Sequence, residues 1–237
     1  MTTRIPLALI GMGRMGRALA ELAPARGFDV VARVEHGQSI TRESLQDAAV
    51  AIEFTTPGAA VANVLACAAA GCPVVVGTTG WYDELPTVRA GIERAGTALL
   101  HAPNFSVGVA IFDRIVAEAA RLFAVVPGFE SHLVETHHSA KKDAPSGTAA
   151  ALARTAETAS GQPMPVTSVR VGSVPGTHEI VFDAPFEHVR LVHEARDRRV
   201  FAEGALTAAR WLVGRRGVFT MQDVLAISAP PSHPQQR

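Results

Sequence analysis

The most constraining feature of this sequence is a regular alternation of short apolar runs and helix-like segments in its first hundred residues. Each run has the length and the aliphatic composition of a strand. The runs cover residues 4–10, 28–34, 50–54, 73–77 and 97–103. Nearly continuous apolar strands that are separated by helices are typical of a parallel sheet buried on both faces. We therefore predict an α/β domain built on a parallel sheet.

The glycine motif GMGRMG directly follows the first run and begins a helix. In this context Gly11 permits a tight turn, Gly13 lets backbone N–H groups approach a pyrophosphate, and Gly16 lets helix and strand pack closely. Glu35 follows the second run, where a carboxylate can accept hydrogen bonds from an adenosine ribose. The pattern favours a Rossmann-type dinucleotide-binding domain over an ordinary structural turn.

The acidic Glu35 bears on which nicotinamide cofactor is bound. A carboxylate repels a 2′-phosphate, so Glu35 favours NADH. Nearby basic side chains can offset that repulsion: Arg14, Arg17, Arg33 and His36. Binding of NADH, of NADPH, or of both therefore stays open.

Two further loops follow predicted strands of this domain. Gly77, Thr78, Thr79 and Gly80 lie at the end of the fourth run, and residues 53–60 lie at the end of the third. Ligands of open α/β sheets bind at the carboxyl ends of the strands, so both loops are predicted to border the nicotinamide. Ordinary strand-to-helix turns are the alternative.

The second half of the chain has a different order of predicted helices and strands. After a helix-like segment, four strand-like segments of mostly alternating character follow, and these predict a second α+β domain with a mixed or antiparallel sheet. We place the first domain at residues 1–107, with 200–237 packing back on it, and the second at residues 108–199. The Pro-rich end, SAPPSHPQQR, is expected to be loose.

The segment HHSAKKDAPSGTA gathers cationic side chains directly before a predicted helix start. Free N–H groups and the Ser146 hydroxyl at that start suit an anion, so we predict a site for a small carboxylate or dicarboxylate. His137 can exchange a proton near neutral pH, and Lys141 can stabilise developing negative charge. A solvated surface loop is the alternative for the whole segment.

The neighbours of these two residues are less distinctive. His138 fits a substrate contact or a surface position equally well, whereas Lys142 is expected to be solvated. Asp143 fits a turn or an ion pair better than a catalytic role.

Composition excludes several classes of function. The 22 basic and 22 acidic residues balance, so neither nucleic acid nor an anionic membrane is expected as a partner. The sequence contains no apolar run of membrane-spanning length, and its N-terminus reads as a strand and not as a signal peptide. Two cysteines without an export signal favour a reducing cytoplasm. No metal site is predicted.

Several motifs together resemble the 4-hydroxy-tetrahydrodipicolinate reductase family, also called dihydrodipicolinate reductase, of bacterial lysine synthesis. They run in order over residues 5–225 and are GMGRMGR, EFTTPGAA, VVGTTGW, APNFSVGV, ETHHSAKKDAPSGTA, VRVGSVPGTHEIVF and FAEGALTAARWL. The resemblance implies reduction of a cyclic dicarboxylate imine by NADH or NADPH to tetrahydrodipicolinate, a precursor of lysine and diaminopimelate. It also implies a homotetramer formed through the second-domain sheet.

The resemblance also implies roles for particular residues. His137 would donate the proton, Lys141 would assist and contact a substrate carboxylate, and Gly147 and Thr148 would hold the other carboxylate, with His138 nearby. The implied cofactor residues are Gly11, Arg14, Met15, Glu35, Gly77, Thr79, Ala102, Pro103, Asn104 and Phe105. Glu53 departs from the family, which commonly has Asp there, and His36 stands where some members carry a basic residue.

The sequence leaves two other functions open. One is a different nicotinamide enzyme on the same scaffold, such as a dehydrogenase of aspartate-type amino acids. The other is a protein that binds NAD(P)H without catalysis. Semialdehyde dehydrogenase chemistry needs a nucleophilic cysteine, and neither Cys67 nor Cys72 lies in a convincing setting.

Overall fold

A computed structural model describes residues 4–225. The Pro-rich end, predicted to be loose, lies outside the described residues. Within them the chain divides into two compact units: one runs up to Ala102 and resumes at Ala202, and the other is Pro103–Phe201. None of the helices that residues 4–225 form is long and apolar enough to cross a bilayer.

Ten strands and seven α-helices make up the described chain. In chain order they are β1 (Ile5–Ile10), α1 (Arg14–Leu22), β2 (Phe28–Val34), β3 (Val50–Glu53), α2 (Pro57–Ala69), β4 (Val74–Val76), α3 (Leu85–Ala95), β5 (Ala98–His101), α4 (Val107–Phe123), β6 (Glu130–His137), α5 (Gly147–Ser160), β7 (Val166–Arg170), β8 (Thr177–Ala184), β9 (Glu187–Glu194), α6 (Arg199–Leu212), β10 (Gly217–Phe219) and α7 (Met221–Val224).

The first unit contains a six-stranded sheet in the order β10-β5-β4-β3-β1-β2, and every neighbouring pair is parallel. The predicted Rossmann-type sheet is thereby confirmed. All residues of β3 and β4 are buried, as expected for strands that helices cover on both faces. The sixth strand, β10, was not predicted, because a run of only three residues carries too little periodicity to identify a strand.

Strand order in this sheet fixes where a ligand can bind. β1 lies between β2 and β3, so the chain leaves β1 in one direction after α1 and returns to its other side after β2. The carboxyl ends of β1 and β3 therefore flank the switch point of the sheet. Open α/β sheets bind their ligands at that point.

The second unit contains a four-stranded sheet in the order β7-β6-β8-β9. β7 pairs with β6 in parallel, whereas β6–β8 and β8–β9 are antiparallel, so the prediction of a mixed or antiparallel sheet is confirmed as a mixed one. One face packs on α4 and α5 through Phe112, Val116, Leu133, Leu152 and Phe182. The alternation along β6 places Leu133, Glu135 and His137 on this buried face.

Candidate active site

The glycine motif lies at the carboxyl end of β1, and its three glycines are required for different reasons. Gly11 has φ +90°, and a Cβ there would lie 2.2 Å from the Phe54 carbonyl oxygen. A Cβ on Gly16 would lie 2.1 Å from the Gly11 oxygen, so only glycine lets α1 approach the turn. A Cβ on Gly13 would meet no described atom within 4 Å. The space at Gly13 fits a pyrophosphate that approaches the start of α1.

Residues next to this loop carry opposite charges. β1 and β2 pair through Ile10 and Val34, so Glu35 lies at the same sheet edge as the glycine loop. Arg14 and Glu35 are both exposed, and the Glu35 backbone N–H donates to Gln38 Oε1 at 2.7 Å. Arg33 and His36 are exposed as well. This edge can therefore offer both a carboxylate and cations to a ribose and its substituents.

The loop after β4 contains the predicted residues Gly77, Thr78 and Thr79. A Cβ on Gly77 would lie 2.0 Å from the Phe54 ring, so packing requires glycine there. The Thr78 hydroxyl is buried and accepts a hydrogen bond from the Thr55 backbone N–H at 2.8 Å. Thr79 is exposed and remains the better-placed hydroxyl for a ligand. Thr78 instead joins the loops after β3 and β4.

Glu53 is the departure noted in the sequence, and it is fully buried at the end of β3. Its carboxylate accepts hydrogen bonds from the Thr55 hydroxyl and from Asn63 Nδ2, the latter at 3.3 Å. Asn63 also donates to Thr55 Oγ1 at 3.2 Å. The longer side chain therefore reaches forward into its own strand-to-helix turn and orders it.

The turn predicted to contact the cofactor contains residues of different exposure: Ala102 and Phe105 are buried, Asn104 is half-buried and Pro103 is exposed. Asn104 Nδ2 donates to Thr148 Oγ1 at 2.9 Å, and its Oδ1 accepts from the Ser106 N–H at 2.8 Å. The structure thus ties Asn104 to Thr148, which the sequence assigned to the carboxylate site.

His137 ends β6 and is only 8% exposed. Its Nδ1 is hydrogen-bonded to one carboxylate oxygen of Glu135, which is completely buried. The other Glu135 oxygen accepts from Arg170 Nη2 at 2.6 Å and from the Ser146 N–H at 3.4 Å. Residues of two neighbouring strands and of the α5 start therefore converge on a single carboxylate.

These contacts set the charge state of the pair. Burial alone would raise the pKa of Glu135, but hydrogen bonds from Arg170, Ser168 and His137 outweigh it and lower that pKa to about 2. Burial is the largest influence on His137 and lowers its pKa below the ordinary value, although Glu135 raises it. Glu135 is therefore ionised at neutral pH, and His137 carries its proton on Nδ1 when it is neutral.

His178 adds a third buried titratable group. Its ring lies edge-on to His137 with centroids 5.3 Å apart, and its Nε2 is 3.3 Å from Ser146 Oγ. Burial, followed by the charge of His137, lowers the pKa of His178 to about 4. His178 is accordingly neutral at physiological pH.

Lys141 holds a carboxylate in this structure. The Lys141 ammonium lies 2.8 Å from the Asp143 carboxylate. Burial by itself would raise the pKa of Asp143, but Lys141, followed by the backbone amides of Asp143 itself and of Gly147, lowers it below its ordinary value. Asp143 forms the ion pair that the sequence suggested. Its carboxylate marks where Lys141 can bind an anion.

Ser146 and His138 have defined partners, whereas Lys142 faces solvent. The Ser146 hydroxyl is buried and caps α5 by accepting from the Ala149 N–H at 3.1 Å, so it serves the helix start itself. His138 Nε2 accepts from Arg198 Nη2 at 3.0 Å, which adds a guanidinium to the basic segment. Lys142 is exposed, in agreement with the expectation of a solvated side chain.

The cluster of Glu135, His137 and His178 raises the question of a metal ion. One potential ligand atom of each lies within 4.8 Å of the others. However, the Glu135 oxygens already accept from Arg170 and His137, and a guanidinium beside them opposes a second cation. The contacts suit proton handling better than metal binding.

Glu135, Arg170 and His178 are residues of the candidate site that the sequence reasoning missed. Cross-strand register brings them together, because His137 pairs with Arg170 and Glu135 pairs with His178. The motif Glu-Thr-His contained one usable signal: residues two apart in a strand share a face, so Glu135 had to lie beside His137.

Family models match nearly the whole chain. A model described as the N-terminus of dihydrodipicolinate reductase matches residues 5–105, and one described as its C-terminus matches residues 108–225. A 4-hydroxy-tetrahydrodipicolinate reductase of Christiangramia forsetii is 33% identical over 234 residues, which cover 93% of this chain and 97% of the relative. Its namesake from Methanoculleus marisnigri is 41% identical over 195 residues, 75% and 76% of the two chains.

Solved structures show the same fold. Dipicolinate-bound dihydrodipicolinate reductase from Paenisporosarcina sp. TG-14 has a TM-score of 0.76 at 21% identity and covers 93% of this chain and 98% of its own. Aspartate dehydrogenase from Thermotoga maritima has a TM-score of 0.52 at 12% identity, with coverages of 87% and 96%, a likeness of fold alone. Because both halves match the family models and full-length relatives are 33% identical, the chain belongs to the dihydrodipicolinate reductase family.

Proposed function

We propose that this chain reduces 4-hydroxy-tetrahydrodipicolinate to tetrahydrodipicolinate with NADH or NADPH, in the synthesis of lysine and diaminopimelate; the 4-hydroxyl group leaves as water, and the ring gains a hydride and a proton. The family membership supports the reaction class. The observation that carries the proposal is local: Lys141 holds a carboxylate, that of Asp143, on the segment that also contains His137. A dicarboxylate substrate needs such a site beside a proton donor.

The substrate carboxylates are assigned to two sets of donors. Gly147 and Thr148, the first residues of α5, offer backbone N–H groups and a hydroxyl to one carboxylate. Lys141 and the Arg198–His138 pair offer positive charge to the other. Holding both carboxylates of the ring fixes which of its faces is presented, and such orientation contributes roughly 7–11 kcal/mol in ideal cases.

The first unit is assigned to the cofactor. Gly11, Gly13 and Gly16 with Arg14 and Met15 are proposed to hold the pyrophosphate, and Glu35 the ribose. Gly77, Thr79 and residues 102–105 are proposed to border the nicotinamide. When bound, the dihydronicotinamide supplies a hydride to the substrate ring. The open space at Gly13 and the start of α1 support this assignment.

His137 is proposed to deliver the proton that accompanies reduction. It donates from Nε2, because Glu135 occupies Nδ1. Burial and the cations Lys141 and Arg170 lower its pKa in the free protein. A bound dicarboxylate adds negative charge and favours the imidazolium, so His137 gains its proton as the substrate binds. General acid catalysis of this kind contributes about 10²–10⁴ in rate.

Assembly and location are also proposals. The outer face of the second-unit sheet exposes Val169, Val171 and Val192 by 37–53%, which supports a homotetramer formed through that sheet. Light scattering after gel filtration tests it, with Val192→Glu expected to dissociate the assembly. Cys67 and Cys72 are free thiols, in keeping with the reducing cytoplasm.

A coupled assay tests the proposed reaction. A synthase forms the unstable substrate from pyruvate and aspartate semialdehyde, and the loss of absorbance of NADH or NADPH reports its reduction. His137→Gln is expected to lower kcat about 10²–10⁴-fold with a small change in KM. His132→Gln is the matched control, because His132 lies on the same strand and contacts Thr167.

Lys141→Ala is expected to lower kcat and raise KM, with the exposed neighbour Lys142→Ala as its control. Turnover of aspartate, or of oxaloacetate with ammonia, without turnover of the coupled substrate would replace the proposal by the aspartate-type reading. Tight NAD(P)H binding without any turnover would favour a sensor.

A further inference from the structure

Both carboxylate oxygens of the buried Glu135 accept hydrogen bonds from residues of the candidate site. We propose that Glu135 is a positioning residue, which fixes His137 in its Nδ1–H form and stabilises its imidazolium, so that Nε2 carries the transferred proton. This inference rests on the proposed role of His137 as proton donor. Glu135 itself acts only through His137.

Hydrogen-bond chemistry dictates the tautomer. An ionised carboxylate only accepts hydrogen bonds, so the bond between Glu135 and His137 Nδ1 places a proton on Nδ1. When His137 gives up one proton, it therefore loses the one on Nε2. A residue that holds one ring nitrogen in this way also fixes the orientation of the imidazole.

Glu135 is held ionised and rigid by partners on other elements. Arg170 on β7 donates to it at 2.6 Å, and the same Arg170 nitrogen lies 2.6 Å from the Asp143 carbonyl. The Ser146 N–H reaches the same Glu135 oxygen from the start of α5. The carboxylate therefore links the strand that bears His137 to the loop that bears Lys141.

The charges that face His137 oppose its protonation, apart from Glu135. Lys141 from the loop and Arg170 from β7 both lower the pKa of His137, after the larger effect of burial. His178 on β8 is neutral near physiological pH, since its pKa is about 4. Among the charged groups that the structure places against His137, Glu135 is the one that favours the imidazolium.

The opposite edge of the ring is kept clear by a glycine. Gly176, just before β8, has φ +155°, and a Cβ there would lie 3.0 Å from His137 Nε2. A side chain at this position would crowd the nitrogen that has to reach the substrate. The arrangement thus anchors Nδ1 on a carboxylate and leaves Nε2 without a side chain from residue 176.

Glu135→Gln tests the inference, because glutamine keeps the shape and removes the charge. The active form of His137 is protonated, so activity is lost as pH rises through its pKa. Without the carboxylate that pKa falls further. The basic limb of the pH profile of kcat should therefore move to lower pH. At neutral pH kcat should drop about 10- to 100-fold, within what a general acid contributes. KM should change little.

Glu179→Gln is the matched control. Glu179 is on the neighbouring strand β8 and pairs with Arg190, so its loss removes an ion pair without touching His137. Its pH profile should match the unsubstituted protein. The double variant Glu135→Gln/Arg170→Met removes both charges of the buried pair and is used if Glu135→Gln does not fold. Its limb should still lie at lower pH, because Glu135 affects His137 more than Arg170 does.

Nitrogen NMR gives a readout that is independent of turnover. In the unsubstituted protein the His137 signals, assigned with His137→Gln, should show Nδ1 as the protonated nitrogen of the neutral ring. In Glu135→Gln or the double variant the ring should titrate at lower pH. An Nε2–H tautomer in the unsubstituted protein, or an unmoved titration in the variants, would refute the inference. Full turnover by His137→Gln would instead refute the proposed role of His137 as proton donor and leave the tautomer result standing.

Discussion

Alanine substitutions at Gly13 and Gly16 should separate cofactor binding from folding within a single motif. Gly16→Ala places a Cβ 2.1 Å from the Gly11 carbonyl oxygen, well inside the 3.0 Å that real Cβ atoms keep. Because the obstacle is backbone at a turn that the sheet fixes, β1 and α1 have to move apart. Gly13→Ala meets no described atom within 4 Å, and its backbone, at φ −70° and ψ −157°, suits any residue.

The magnitudes follow from these contacts. Overpacking a fixed site costs about 3 kcal/mol, of which the better helix propensity of alanine offsets about 1. Gly16→Ala should thus lose about 2 kcal/mol, or about 4–8 °C in Tm for a chain of this size. Gly13→Ala should lose less than about 1 kcal/mol. Its methyl group, however, occupies the approach of the pyrophosphate, and the Kd for NADH should rise roughly 10- to 100-fold.

Thermal unfolding without cofactor and calorimetric titration with NADH measure the two effects separately. The expected pattern is a stable Gly13→Ala that binds NADH poorly, and a destabilised Gly16→Ala. If Gly13→Ala bound NADH with unchanged affinity, the assignment of that space to the pyrophosphate would be wrong. Equal losses of Tm in the two variants would contradict the steric argument.

Three further predictions concern the second unit. Burial and cations lower the pKa of His137 in the free protein, and a bound dicarboxylate raises it. The basic limb of the pH profile should therefore lie at lower pH for kcat/KM, which reports the free protein, than for kcat, which reports the complex. Limbs at the same pH would contradict this. Ser146→Ala removes a helix cap and should lower the free energy of unfolding by about 0.5–2 kcal/mol, as should the control Ser106→Ala. If Ser146→Ala raised KM as much as Lys141→Ala does, Ser146 would bind the substrate directly. Asp143→Asn removes the carboxylate that pairs with Lys141 and that would compete with a ligand carboxylate for it. Pyridine-2,6-dicarboxylate should therefore bind more tightly in calorimetry, and weaker binding would refute this competition.

The elements that the sequence predicted well are those whose signal is local. The apolar runs of the parallel sheet and the glycine motif can be recognised within a few residues, since burial on both faces and a tight turn each demand particular residue types. The start of α5 is equally local: Ser146 followed by an alanine-rich segment predicts a capped helix, and Ser146 does cap it.

The part of the site that was missed depends on register. Arg170 reaches Glu135 because β7 pairs in parallel with β6, although β8 follows β7 directly in the sequence. His178 comes opposite Glu135 through a long-range antiparallel pairing of β6 with β8. Strand alternation states which residues share a face, but long-range packing decides which strands become neighbours. The side-chain bonds of Thr78 and Ser146 depend on the same packing.

The helices of the two units begin in different ways. In the described chain the N-cap residues of α1 and α2, Gly13 and Thr56, form no side-chain cap bond. The N-cap residues of α4 and α5 are Ser106 and Ser146, whose hydroxyls accept from the helix. First-turn N–H groups that lack a cap need water or a ligand. The sheet unit thus leaves backbone donors at its switch point, where the cofactor phosphate is proposed to bind. In the second unit the Ser146 hydroxyl caps the Ala149 N–H alone, so the Gly147 and Thr148 N–H groups stay available to the proposed carboxylate. Lys141 is proposed to add a charge that can also stabilise a reacting ring, which backbone donors alone cannot supply.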